Sequence, residues 1–334
     1  MKRSNSRAKY VLGGFVLAAI VATTTACGSD DKTDTDSQSA DTVHAVTHAR
    51  GTTDVPMDPQ RVVVLEPVQL DTSVALGVIP VGTAVLSETT GVPAYLGEKA
   101  AEIEMVGTVA APNLEKIVAL SPDLIIGTES RHGDLYEQLA AIAPTVYMAT
   151  QTDPWQDNVQ FVAEALNKTD KAGELLGDYT ARCEEVASKH STEGKTAQLI
   201  RPRDDVLTLY GPTSFAGSTL ECAGLTIPAR DWENSISVDL SPEFVSGANA
   251  DLILVTSAKP ADASTMPKAV ADNAGFFPNP HLVDMSYWIT GVGPLGGLTV
   301  LDDLDRILGD RSSSGREVAV GENWQSARVA KLDL

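Results

Sequence analysis

Between Asp170 and His190 the chain reads DKAGELLGDYTARCEEVASKH, and this stretch decides the fold. Ala172, Leu175, Leu176, Tyr179, Cys183, Val186 and Ala187 recur at helical spacing, Asp170 stands where an N-cap is wanted, and Lys189 and His190 suit the negative end of the helix dipole. A helix of this span is about 31 Å long at about 1.5 Å per residue, long enough to link two lobes. Upstream, residues 62–65, 80–85, 123–126 and 145–148 are short apolar runs that read as strands buried on both faces. Leu70, Val74 and Leu76, then Leu114, Ile117, Val118 and Leu120, then Leu135, Leu139 and Ile142 mark helices between them. Trp155, Val159, Val162 and Leu166 add a helix just before the connector. Downstream, residues 197–200 and 206–210 flank Asp204 and Asp205 as a hairpin, 218–223 reads as helix, and 251–255 and 282–285 are further strands. The predicted fold is α/β: two doubly wound lobes, 43–169 and 191–310, joined by one long rigid helix over 170–190.

The ends carry addressing information. Lys2, Arg3, Arg7 and Lys9 precede an apolar run over 11–22 that is too short to span a bilayer, and small residues lead on to Cys27. This is the pattern of a secretory signal peptide, here 1–26. Thr23-Thr24-Thr25-Ala26-Cys27 resembles the lipobox of bacterial lipoproteins, with Thr24 where leucine is usual. Cys27 is therefore expected to become a lipidated N-terminus that holds the protein to the cell membrane, facing away from the cytoplasm. One acyl chain binds weakly, so several are expected. Residues 27–42, rich in Asp, Ser and Thr, read as a disordered tether. At the other end 311–334 carries no legible function, although Val318, Val320 and Trp324 are expected to pack on the second lobe.

A formal net charge of −20 excludes nucleic acid as a partner and means that an anionic ligand must be held by locally placed arginines. Of the three cysteines, Cys183 and Cys222 could pair in an exported protein, but they fall on different predicted lobes, and unpaired, buried thiols are the expectation.

Several strings in order resemble the iron-siderophore and cobalamin substrate-binding proteins of ABC importers. They are PQRVVVL at 59–65, ALGVIPVG at 75–82, PNLEKI at 112–117, LSPDLII at 120–126, LAAIAPTV at 139–146, LTLYGPTSFAG at 207–217, LSPE at 240–243 and LDDL at 301–304. The resemblance covers roughly 43–310. It implies a periplasmic-binding-protein-like fold of class III, acting as a monomer that captures a ferric siderophore and delivers it to an importer permease. It further implies that Glu115 and Glu243, one per lobe, dock on arginine pockets of that permease. Haem or cobalamin binding by the same fold, or an envelope binding protein not coupled to import, are the alternatives.

In open parallel sheets a ligand sits beyond the carboxyl ends of the strands, which here selects 66–69, 87–88, 129–132 and 153–155 in the first lobe. Arg131 is the cation in those segments, suited to the anionic oxygens around ferric iron, with Glu129 or Asp134 as competing partners. In the second lobe Arg201, Arg203, Arg230, Tyr210, Trp232 and Trp288 occupy strand ends or loops, and Trp155 joins them from the first. Arg201 and Arg203 are expected to send one side chain to the cleft and the other to Asp204 or Asp205. Aromatic walls with a few arginines suit a bulky, partly apolar chelate. Trp155 also begins an apolar helical stripe, so core packing is its competing role.

Direct metal ligation and catalysis have little to stand on. His44 and His48 share a strand face away from the cleft and the other histidines are dispersed, leaving His132 as the single histidine expected near a ligand. There is no Gly-x-Ser-x-Gly elbow and no Walker loop. Gly291, Gly293 and Gly296 have the spacing of a dinucleotide motif but precede a late helix, and read as a loop at the cleft mouth. The expectation is a binding protein, not an enzyme, with no covalent group except lipid on Cys27.

Overall fold

The computed structural model describes residues 42–312 apart from 153, 204, 205, 233, 234 and 278. Cys27, the signal peptide, Val318, Val320 and Trp324 lie outside the described residues, as do the two aspartates at the tip of the predicted hairpin. The described residues belong to one compact unit.

In chain order the first lobe comprises β1 (Val43–His48), β2 (Gly51–Pro56), β3 (Val62–Val64), α1 (Pro67–Ala75), β4 (Gly82–Val85), α2 (Glu98–Ala101), β5 (Glu104–Thr108), β6 (Ala111–Pro112), α3 (Leu114–Ala119), β7 (Leu124–Thr128), α4 (Glu129–His132), α5 (Tyr136–Ala140), β8 (Thr145–Met148) and α6 (Trp155–Ala165). Its main sheet runs β6-β5-β4-β3-β7-β8, parallel except where β6 turns back on β5, while β1 and β2 form a separate antiparallel hairpin. Every residue of β3, β4, β7 and β8 is buried, as continuous apolar runs covered on both faces must be.

The connector α7 (Thr169–His190) is followed by β9 (Ala197–Arg203), β10 (Val206–Tyr210), α8 (Phe215–Cys222), β11 (Ser237–Leu240), β12 (Leu252–Ser257), α9 (Lys268–Ala271), β13 (His281–Asp284), α10 (Met285–Trp288) and α11 (Pro294–Ser312). The second sheet runs β11-β10-β9-β12-β13. β9, β12 and β13 are parallel, whereas the hairpin makes β10 antiparallel to β9.

One apolar core runs through both lobes. It takes Val62, Val64 and Leu70 from the first, Leu175, Tyr179 and Val186 from α7, and Leu199, Leu220 and Leu301 from the second. Two satellite cores cover the outer faces of the sheets, around Ile117 and Leu139 in one lobe and Ile253 and Phe277 in the other. α7 is thus more than a bridge, because its second half is packed into the second lobe. Arg182 bonds Asp302 at 3.0 Å and Asp305 at 2.8 Å, and Lys189 and His190 also reach Asp305, so that α7 is tied along α11 by ions that are themselves half-buried. These cations hold the Asp305 carboxyl well below the usual carboxylate range, against the opposing push of burial.

That placement corrects the expectation for the cysteines. Cys183 faces α8, its Cα lies 5.5 Å from that of Cys222, and the two form a disulfide. Assigning Cys183 and Cys222 to different lobes separated in sequence what the packing of α7 on α8 brings together.

Candidate functional site

The four parallel strands β3, β4, β7 and β8 end at one edge of the first lobe; of the segments that follow them, Gln151, Thr152 and Trp155 line the cavities, and Glu66 and Arg131 line neither. Glu66 precedes α1, Arg131 lies on α4, and residues 150–155 lead into α6. Arg131 Nε stands 3.3 Å from Glu66 Oε1, with the carboxylate buried and the guanidinium half-exposed. The partner is therefore Glu66 and not the sequence neighbours Glu129 or Asp134. Glu129 is taken by Arg50, from the β1–β2 turn, through bonds of 2.6 and 2.7 Å. Burial pushes the Glu66 carboxyl up to about 7, against the pull of Arg131.

His132 is not available to a ligand. It is buried, its Nδ1 accepts the Thr128 amide at 3.1 Å, and its Nε2 lies 2.9 Å from the Val109 carbonyl, to which it donates. Burial lowers its pKa, which keeps the ring neutral. His44 and His48 are likewise bonded locally, to the Glu164 carbonyl and the Thr53 hydroxyl.

A cavity of about 740 Å3 is lined by Thr152 of the first lobe and by Pro212, Thr213, Asp231, Trp232, Ser235 and Ile236 of the second. That volume is in the range of small-molecule sites, roughly 300–1,000 Å3. Beneath it a smaller space of about 80 Å3 shares Thr152, Thr213 and Ile236 and is floored by Trp155, Tyr210, Phe215 and Trp288. Trp232 lies flat against the backbone at Gly211, where a Cβ would come within 2.8 Å of the indole. Ile236 remains over a third exposed, an apolar surface left open toward the cavity.

The predicted aromatic residues play different parts. Trp155 is buried edge-to-face against Tyr179 at 5.0 Å and Phe215 at 5.5 Å, joining the lobes and flooring the small cavity at once, and its indole N–H has no acceptor among the described residues. Trp288 is fully buried and donates to Asp303 at 2.8 Å, so it supports the floor from within the core. The arginines differ as well. Arg201 and Arg203 lie two residues apart on β9, and a pleated strand puts such residues on the same face, contrary to the expectation that they diverge. Arg201 is opposite Thr208 and Arg203 opposite Val206, which places both on the Tyr210 face of the hairpin, although neither lines the cavities. Arg230 is half-buried, 3.4 Å from Gln198 Oε1, and lines neither cavity.

Several functional residues had no signal in a single sequence. Thr152, Thr213, Phe215 and Ile236 line the cavity, yet only the LTLYGPTSFAG string hinted at two of them. Asp71 is the larger omission. From α1 it crosses the lobe boundary, accepts the amides of Leu295 at 2.9 Å and Gly296 at 2.8 Å at the start of α11, and takes the Tyr95 hydroxyl at 2.8 Å. Gly293, at φ +148, is required there because a Cβ would run into the Asp71 carboxylate. The glycines that mimic a dinucleotide motif thus make room for an interlobe latch. Burial pushes the Asp71 carboxyl up to about 7, even though the Tyr95 hydroxyl and the two amides pull it down.

Of the two docking glutamates, Glu115 is exposed in the first turn of α3. Glu243 lies in the 3-10 segment Pro242–Ala248.

Residues 62–277 match the family model described as periplasmic binding protein. The chain belongs to this family. Its members are solute-binding proteins, and the resemblance read from the ordered strings is borne out. The chain is 30% identical over 322 residues to a probable siderophore-binding lipoprotein of Bacillus subtilis, covering 89% of this chain and 97% of the relative. It is 29% identical to the Fe(3+)-citrate-binding protein YfmC of the same organism, covering 77% of this chain and 82% of that one. Among solved structures, Staphylococcus aureus SirA complexed with staphyloferrin B superposes with a TM-score of 0.67 at 28% identity, covering 80% of this chain and 98% of SirA. The two-lobed class III architecture with α7 as connecting helix is the fold of this periplasmic binding protein.

Proposed function

We propose that this periplasmic binding protein captures a ferric siderophore outside the cytoplasm and hands it to an ABC importer permease. The observation that carries the reading is the 740 Å3 cleft between two lobes, with an aromatic wall at Trp232 and an aromatic floor at Trp155 and Tyr210. The relatives named for siderophore and ferric citrate binding support it.

In this reading Trp232 and Tyr210 stack on the apolar parts of the chelate, Arg131, Arg201 and Arg203 donate to its oxygens, and Trp155 offers its unpartnered N–H from below. Trp288 holds the floor, and Arg230 reaches the ligand from the second lobe. Glu115 and Glu243 seat the two lobes on the permease. Residues 1–26 are removed on export, lipid on Cys27 anchors the chain, and 27–42 is the tether to lobes bounded near 43–169 and 191–310. No helix among the described residues is long and apolar enough to cross a membrane.

Charge reversal tests the importer half of the proposal. A Glu115→Lys, Glu243→Lys double variant is expected to bind ferric siderophore with unchanged Kd while cellular uptake of siderophore-bound iron is lost. Uptake at the wild-type rate contradicts the docking assignment.

A further inference from the structure

We infer, resting on the siderophore reading, that the small space beneath the cleft is a subsite for an uncharged arm of the chelate, and that Gln151 donates there to an amide or ester carbonyl. The space is about 80 Å3. A single water needs roughly 10–15 Å3, so an arm of a few heavy atoms fits, while the iron core is left to the 740 Å3 cavity above. The lining is apolar at Trp155, Phe215, Ile236 and Trp288, and none of the residues that line the space is charged. A carboxylate or ammonium brought into it loses hydration with no counter-charge in contact, whereas a carbonyl needs a single donor.

Gln151 is that donor. A glutamine amide has an acceptor oxygen on one side and two N–H donors on the other. Here the oxygen is occupied, because the Ser130 hydroxyl donates to Oε1 at 2.8 Å and the Thr150 hydroxyl stands 3.4 Å from it. Ser130 and Thr150 do not line the space, whereas Gln151 does, and its Nε2 has no acceptor among the described residues. The segment around it is held in place as well. The Ser130 amide donates to the Ala149 carbonyl at 3.1 Å, the Thr152 amide to the Thr150 hydroxyl at 3.2 Å, and the Asn158 side chain to the Thr150 carbonyl at 3.2 Å. A donor positioned before the ligand arrives loses little freedom on binding. The other polar groups around the space are less suited. Ser214 donates to the Gly211 carbonyl and the Trp288 indole to Asp303, while the Tyr210 and Thr213 hydroxyls are free to rotate. Arg131, Arg201, Arg203 and Arg230 do not line the space, so the arm is read by a neutral donor.

The test is isothermal titration of the full mature protein and its variants with ferrichrome and ferric enterobactin, whose arms carry amide carbonyls, and with ferric citrate, which has none. Gln151→Leu is expected to weaken an amide-bearing chelate ~3–10-fold while ferric citrate stays within ~2-fold. Gln151→Glu still accepts from Ser130 but sets an acceptor against the carbonyl, and is expected to weaken the same chelate by ~10-fold or more. Ser130→Ala releases the amide oxygen and is expected to weaken that chelate ~3-fold in the wild-type background but not beside Gln151→Leu, as a positioning residue acting only through Gln151 requires. Gln151 is only half-buried, so the unfolding midpoints of its variants are expected to match the wild type. Unchanged affinity for the amide-bearing chelates in Gln151→Leu, tighter binding by Gln151→Glu, equal weakening of ferric citrate, or binding of ferric citrate alone overturns the subsite and leaves the siderophore reading standing. Binding of none of the three chelates overturns the siderophore reading and this inference with it.

Discussion

Asp71 and Glu66 are carboxyls whose burial disfavours the charged form more than their partners favour it. Both are pushed up to about 7 by burial, from ordinary values of 3.8 and 4.5. A carboxyl that binds its proton more tightly when folded stabilises the fold fully below its unfolded pKa and loses that contribution as pH rises through the folded value. Stability of the ligand-free protein is therefore expected to fall between about pH 4 and pH 7, by on the order of a few kcal/mol. Asp71→Asn, which removes the titrating group and keeps an acceptor for one of the Leu295 and Gly296 amides, is expected to lower stability overall and to flatten that slope in urea titrations across the window. An unchanged slope contradicts the assignment. Arg131→Ala removes charge-assisted donors from the cleft and is expected to weaken ligand binding ~10-fold or more, read by titration. Arg131 was legible in the sequence because it follows a strand, whereas its partner was not. Glu66 is 65 positions away and becomes a neighbour only because β3 and β7 pair side by side. Glu129 and Asp134 were nearer in sequence, but Arg50 claims Glu129 from a hairpin whose place on the lobe no periodicity announces.

At the scale of elements, α7 carries most of the architecture. Its stripe from Ala172 to Ala187 is amphipathic enough to be read directly, as are β3, β7, β8 and the β9–β10 hairpin. The elements that escaped reading have weaker patterns. β11 is only half-buried, β6 has two residues, and α11 begins in a glycine-rich stretch that reads as loop. The disulfide escaped for a related reason, since the side-by-side packing of α7 and α8 is a tertiary fact. Cys183 and Cys222 close a loop across a sequence separation of 39, so replacing both by alanine is expected to lower stability by about 3–4 kcal/mol in denaturant titrations. Ligand affinity should change little, because the pair lies toward the far end of α8 from Phe215 and the cavity. The Arg182–Asp305 network behaves oppositely to Asp71. Its depressed carboxyl stabilises the fold above about pH 4 and ceases to do so as pH falls further, so the stability maximum is expected in mildly acidic solution.

For the whole molecule, the continuous core and the Asp71 latch make the two lobes one body. Hinged closure around a ligand would have to break the Trp155–Phe215 and Asp71–Leu295 contacts, so binding is expected to proceed with little change in shape. Small-angle scattering should give radii of gyration with and without ligand that agree within about 1 Å; a clear contraction contradicts a rigid connector. A near-rigid carrier signals its loaded state through the cleft surface and the ligand itself, which suits docking by fixed charges such as Glu115. The most direct test of the central claim is a tryptophan-fluorescence titration of the purified protein with ferric siderophores of the hydroxamate, catecholate and carboxylate classes. The account predicts saturable quenching by at least one of them with a micromolar or tighter Kd, lost on Trp232→Leu. The absence of saturable quenching by all three classes, with binding by mass-sensitive methods equally absent, would contradict it.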